Sequence, residues 1–100
     1  RDEDRFRLYH GPYYPPKTRR GRRLFDEIHG TVVVGTWSSG KICWPRRWRR
    51  RSLILCGDLV KAIRRESVVA VAHWWGVSKS VVTRWRRALG VERLNEGLFG

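Results

Sequence analysis

The chain has 100 residues, among them 22 Lys and Arg against nine Asp and Glu, for a formal net charge of +13. That length builds one modest domain or two very small modules, and that charge seeks polyanions. Two isolated cysteines, Cys43 and Cys56, exclude a disulfide framework or a CxxC metal site, no apolar run of about 18 residues is present to span a bilayer, and no secretory-type segment opens the chain. The expectation is a soluble, cytoplasmic protein without membrane contact, and a start at Arg1 rather than methionine suggests a fragment of a longer polypeptide.

Residues 1–23 mix charges and aromatics with Tyr13, Tyr14, Pro15 and Pro16. Two prolines lack backbone donors and favour an extended path, so this segment is expected to be a basic arm whose order depends on a partner. From Leu24 the pattern changes to β-branched and aromatic residues punctuated by Gly30, Gly35 and Ser38-Ser39-Gly40. Residues 24–56 are therefore expected to form an antiparallel β-meander, with strands over 24–29, 31–37 and 41–44 and Ser39-Gly40 as a hairpin tip. Pro45 is expected to end the third strand. Arg46 to Arg51, RRWRRR, follows as a basic loop, and Leu53 to Cys56 returns as a fourth strand.

Residues 57–100 carry helical signals. Asp58 is placed to cap a helix through Arg65 with Leu59, Val60 and Ile63 inward, and the alternative is one helix from Ser52 broken at Gly57. Ser67 and Ser78 are placed to cap helices over 68–75 and 79–89, and Gly90 ends the last. Of Trp74 and Trp75, about 100° apart on a helix, one belongs to the core and the other contacts the β-module or a phosphate. His73 has the place of a structural histidine. The segment 91–99 is expected to add a short turn. The fold class expected is α+β, a small antiparallel β-meander followed by a trihelical unit.

Charge is uneven along this plan. Residues 1–16 are balanced, residues 17–51 carry +9, and residues 52–100 carry +4. Most of the attraction for phosphate lies outside the helices, and charge of this kind draws any phosphate polymer through counterion release without naming it.

Specificity needs a shaped element, and Ser67 to Gly90, SVVAVAHWWGVSKSVVTRWRRALG, supplies one. Ala72 is small enough for a close helix crossing, Gly76 opens a tight turn four residues later, and Val77, Val82 and Trp85 return to a shared core. Ser78, Lys79, Ser80, Thr83, Arg84 and Arg87 then face outward. Over these 24 or so residues the chain resembles the helix-turn-helix superfamily, and the GVSKSVVTRW run is similar to the turn and recognition helix of many bacterial DNA-binding proteins and transposases. It also resembles small bacterial proteins with an HWWGV turn, from which no function carries over. The resemblance implies that Ser78, Lys79, Ser80, Thr83 and Arg84 lie nearest bases and phosphates, with Arg87 on the backbone. Arg84 is the candidate for base reading, since a guanidinium pairs bidentately with guanine at about 1–3 kcal/mol of discrimination. Thr83 suits a thymine methyl, and Lys79 and Arg87 suit phosphates that set register.

Two basic segments extend the candidate footprint. Arg20-Gly21-Arg22 is similar to the centre of AT-hook peptides, although no proline follows closely, so minor-groove insertion and general phosphate contact both stand. Arg47 and Arg49 flank Trp48 in the RRWRRR run, which reads as a DNA-backbone loop, a stacking surface for unpaired bases, or a membrane-active stretch that lacks an apolar face.

An enzyme is not expected. Asp26, Glu27 and His29 are too thin a set for a divalent metal, and no catalytic triad, phosphate loop or cofactor motif is present. The function expected is sequence-specific binding of double-stranded DNA through a helix-turn-helix, as a nucleoid-associated transcription regulator or the DNA-binding part of a mobile-element protein. A homodimer or a larger nucleoprotein complex would extend its short site. The rival is an RNA-binding accessory module that uses Trp37, Trp44 and Trp48 on the sheet as a platform.

Overall fold

The computed structural model describes residues 5–91; the segment expected to add a turn lies almost wholly outside them. Three strands precede three helices: β1 (Arg23–Asp26), β2 (Gly30–Trp37), β3 (Pro45–Arg47), α1 (Gly57–Arg65), α2 (Val68–Trp75) and α3 (Lys79–Ala88). The sheet is antiparallel in the order β1-β2-β3. This is the α+β plan expected, with a trihelical C-terminal part.

The β1–β2 hairpin is closed by Asp26, which is 1% exposed. Its Oδ1 accepts the Ile28 and His29 N–H groups at 2.7 and 2.9 Å and lies 3.2 Å from His29 Nδ1. Its Oδ2 accepts the Leu55 N–H at 3.0 Å, and Glu27 donates back to the Leu55 carbonyl at 2.9 Å. A carboxylate that answers several N–H groups offsets the cost of its burial. Asp26 therefore bolts the hairpin to the chain that leads into the helices.

The third strand is not where the sequence pattern puts it. Residues 41–44 leave the sheet, and β3 begins at Pro45 instead of ending before it. The cause is tertiary: Ile42 donates to the Trp74 carbonyl at 2.8 Å, and Trp44 is fully buried with its Nε1 donating to the Ile54 carbonyl at 2.9 Å. Proline at the first residue of a strand gives up no ladder bond, and the Pro45 carbonyl accepts from Ile54. Arg46 and Arg47 thus belong to a strand, which the outermost position in the sheet tolerates. The expected fourth strand is a single bridge between Arg46 and Leu53. Opposite Val34 to Trp37 the register slips by one residue, and the missing Cβ of Gly35 permits the approach, since one would lie 3.0 Å from Trp48 Cα.

The helices form where their signals lie. Ser67 Oγ accepts the Ala70 N–H, Ser78 Oγ accepts the Val81 N–H, and Gly76 ends α2 in the left-handed region at φ 71°. α1 buries Leu59, Ala62 and Ile63 at i, i+3 and i+4 spacing, with Val60 at its half-buried margin. Asp58 is not the cap. The helix starts one residue earlier from Cys56, and the Asp58 carboxylate accepts the Tyr14 N–H at 2.8 Å.

One core joins both halves. Trp44, Leu53 and Leu55 from the sheet side pack with Leu59, Ile63, Val71, Ala72, Trp75, Val82 and Trp85. Trp75 lies at its centre, edge-on to Trp44 and Tyr13, each with ring centroids 5.8 Å away. Its Nε1 is buried without a hydrogen-bond partner.

The N-terminal segment is part of this fold and not a free arm. Glu66, 3% exposed, accepts the Tyr9 and His10 N–H groups at 2.9 and 2.7 Å and the Tyr13 hydroxyl at 2.7 Å. Phe6 stacks on His73 with centroids 4.0 Å apart, and its carbonyl accepts the Trp74 Nε1–H. Trp74 thus bonds its indole N–H to the N-terminal segment, while its carbonyl accepts from Ile42 of the β-module. Burial, together with the hydrogen bond to Glu66 and its negative charge, raises the pKa of Tyr13.

Candidate nucleic-acid interface

On α3 the residues divide cleanly between two sides. Val82, Trp85 and Arg86 are buried, whereas Lys79, Ser80, Thr83, Arg84 and Arg87 are exposed on one stripe of the helix. Spacings of four residues from Lys79 through Thr83 to Arg87, and from Ser80 to Arg84, keep those side chains together. Ser78 is exposed, but its Oγ is committed to the cap and lies 3.0 Å from Ser80 Oγ.

The helix is held from behind. Arg86 turns into the protein at 6% exposure and donates through Nη1 to the Ile63 and Glu66 carbonyls at 2.9 and 3.3 Å, answering backbone acceptors at the end of α1. The turn before α3 is fixed by Gly40, whose α-carbon lies so close that a Cβ on Gly76 would be 3.0 Å away. A Cβ on Gly40 would fall 2.6 Å from the Trp75 carbonyl carbon and oxygen. Ser39-Gly40 is thus less a free hairpin tip than a stop against which the α2–α3 turn rests.

The two basic segments are neighbours in space. Gly21 donates to the Val34 carbonyl at 2.8 Å and Val34 to the Arg22 carbonyl at 2.7 Å, while Trp48 donates to the Val33 carbonyl at 2.7 Å. Both segments therefore dock on β2. Arg20 lies over the Trp48 ring at 4.9 Å from its centroid, a cation–π contact. Arg20 and Arg49 line one hollow with Gly35 and Trp48, and Arg47 borders the next. Arg22 faces a separate concavity with Lys17, Arg19 and Arg23.

Arg20, Arg22, Arg47 and Arg49 line hollows on the β2 side of the chain. Arg51 to Leu53 form a groove of about 270 Å³ with Val77, Val81, Arg84 and Trp85. Arg84 and Arg51 thus border the same groove, so Arg51, read from sequence as part of the basic loop, adjoins α3.

A three-tryptophan platform is not formed. Trp44 is fully buried, Trp37 is half-buried, and Trp48 is the exposed member at 39%.

The chain matches no family model, no curated protein and no solved structure.

Among the described residues no group of three or more His, Cys, Asp and Glu side chains is placed to hold an ion, and Asp26 and His29 are spent on the hairpin. Both cysteines are free, Cys43 exposed and Cys56 half-buried. Burial, reinforced by the charge of Asp26, pushes the Cys56 thiol up to about 11. Among the described residues no helix is long and apolar enough to cross a membrane.

Sequence reasoning passed over Arg86, Glu66 and Gly40. Arg86 lies four residues after Val82 and next to Trp85, so the helical period already put it on the buried side. Glu66 ends α1 just before a capping serine and carried no comparable signal. Gly40 was visible only as a turn residue, because the backbone that it meets is 35 residues away.

Proposed function

We propose that the chain binds duplex DNA sequence-specifically, with α2, its turn and α3 acting as a helix-turn-helix. The observation that carries this reading is the exposed stripe of α3, which sets short hydroxyls, a lysine and two arginines on a helix whose opposite side is fixed in the core. A ten-residue helix is about 15 Å long and suits a major groove about 12 Å wide. Arg84 and Thr83 read base edges in this arrangement, Lys79, Ser80 and Arg87 hold phosphates, and Ser78 contributes chiefly by fixing the helix start. Arg51, on the rim shared with Arg84, continues the grip. Arg20, Arg22, Arg47 and Arg49 add sequence-independent attraction for flanking phosphates.

One copy spans few base pairs, so a homodimer on paired half-sites or attachment to a larger protein completes the site. The role is that of a nucleoid-associated transcription regulator or the DNA-binding part of a mobile-element protein. The test is a salt titration of duplex affinity with two variants. Arg84→Ala is expected to flatten the preference between preferred and scrambled duplexes. Arg49→Ala is expected to weaken both alike and to reduce the salt slope by about one. Unchanged preference in Arg84→Ala would refute the assignment of α3 as the reading helix.

A further inference from the structure

Away from α3 the chain presents a second surface of different chemistry. Strand alternation buries Asp26 and Val34 on one side of the β1–β2 ribbon and leaves Arg23, Phe25, Thr31 and Val33 exposed on the other. The register pairs Phe25 with Thr31 and Arg23 with Val33, so these four residues form one open patch. Trp48 extends it, bonded through its N–H to the Val33 carbonyl and bordering an open hollow of about 420 Å³ with Thr31, Val33, Arg47 and Arg50.

Phe25 is 60% exposed and Trp48 39% exposed, and the surrounding charge is of one sign. Arg20, Arg23, Arg47 and Arg50 surround these rings, and Glu27 at the hairpin turn is the single acid between Lys17 and Arg51 that is not buried. Aromatic faces ringed by guanidinium groups need a partner that is anionic and flat at once. A duplex offers phosphates but keeps its base faces stacked inside, whereas a single strand offers phosphates and base faces together.

We propose that the open face of the β1–β2 ribbon is a single-stranded nucleic-acid site, with Phe25 and Trp48 stacking on unpaired bases and Arg20, Arg23, Arg47 and Arg50 holding the backbone. Arg20 has a double part, since its guanidinium already lies over the Trp48 ring and steadies the indole while remaining near a bound phosphate. No residue of α3 belongs to this site; Arg20 and Arg47 are shared with the flanking duplex grip, whereas the stacking rings Phe25 and Trp48 serve the single strand alone.

The test uses the full chain at near-physiological salt, where nonspecific attraction is weak, and fluorescence anisotropy with labelled oligothymidine and oligouridine of about 12 nucleotides, within the span of such sites. At least one oligomer is expected to bind, the tighter of the two naming DNA or RNA as the source. Phe25→Ala and Trp48→Ala are each expected to weaken it by about tenfold, the range of one lost base stack, while Trp48→Phe retains most of the affinity. Phe25 is largely in solvent, so its variant is expected to melt like the parent, which separates lost stacking from lost fold. A blunt duplex is expected to bind these variants as it binds the parent. Failure of both oligomers to bind, or equal binding by the parent, Phe25→Ala and Trp48→Ala, would overturn the proposal. Loss of the single strand in Arg84→Ala with no loss in the ribbon variants would overturn it as well, by moving the site to α3.

Discussion

Gly40→Ala should damage the turn that presents α3 without touching any nucleic-acid-facing side chain. The new Cβ would lie 2.6 Å from the carbonyl carbon and oxygen of Trp75 and 3.0 Å from the Gly76 nitrogen. Optimal carbon contacts are at about 3.5–4.0 Å, so the overlap is about 1 Å, and it falls on backbone rather than on a side chain that can swing away. Trp75 is fully buried, which leaves the end of α2 little room to yield. Forced overpacking costs about 1–3 kcal/mol and replacing glycine returns about 0.4–1 kcal/mol; with contacts as short as 2.6 Å on backbone the upper part of the first range applies, for a net loss of about 1–2 kcal/mol. In a domain of this size each 1 kcal/mol moves the melting temperature by about 4–8 °C, so a loss of about 5–15 °C is expected. The assay is thermal unfolding followed by circular dichroism, with exposed Ser39→Ala as the control, expected to stay within about 0.5 kcal/mol of the parent. Duplex binding by the folded fraction of Gly40→Ala should weaken too, since the turn has moved. A melting temperature within about 2 °C of the parent would refute the claim that Gly40 is the stop for the turn.

Other outcomes follow from the buried polar groups. Glu66→Ala removes the acceptor for Tyr9, His10 and Tyr13, and limited trypsin digestion should then cut at Arg5 or Arg7 much faster than in the parent; equal cleavage rates would contradict the docked N-terminal segment. The Cys56 thiol and the Tyr13 hydroxyl both hold their protons more tightly in the folded chain. Stability from Cys56 is therefore full below its ordinary value near 9 and is lost as pH rises through about 11. Chemical denaturation across that window should show the decline, with a smaller slope in Cys56→Ala, and an identical slope would rule out the thiol as a source. At pH near 8 a thiol reagent should modify exposed Cys43 first and Cys56 slowly; equal rates would contradict the burial of Cys56.

The helical part was largely legible because its signals are local. The ranges expected, 58–65, 68–75 and 79–89, lie within a residue of α1, α2 and α3, since Ser67, Ser78 and Gly76 act on backbone only a few residues away. β1 and β2 were legible for the same reason, although Asp26 closes the first hairpin earlier than alternation suggested. β3 was not, because what decides it is distant: Trp44 leaves the sheet to fill the core, and Ile42 is bonded to α2. The N-terminal segment was missed because its prolines and charges read as an arm, while Glu66, which holds it, is more than 50 residues away. For the candidate interface, the exposure of Lys79, Ser80, Thr83, Arg84 and Arg87 followed from helical period. Neither the docking of both basic segments on β2 nor the groove shared by Arg51 and Arg84 follows from any local pattern.

Whether α3 reads duplex sequence is decided by selection from a random duplex pool at near-physiological salt with structured RNA present as competitor. A short enriched motif is expected with the parent chain, and its loss is expected with Arg84→Ala. No enriched motif, with RNA displacing the duplex, would contradict sequence reading by α3.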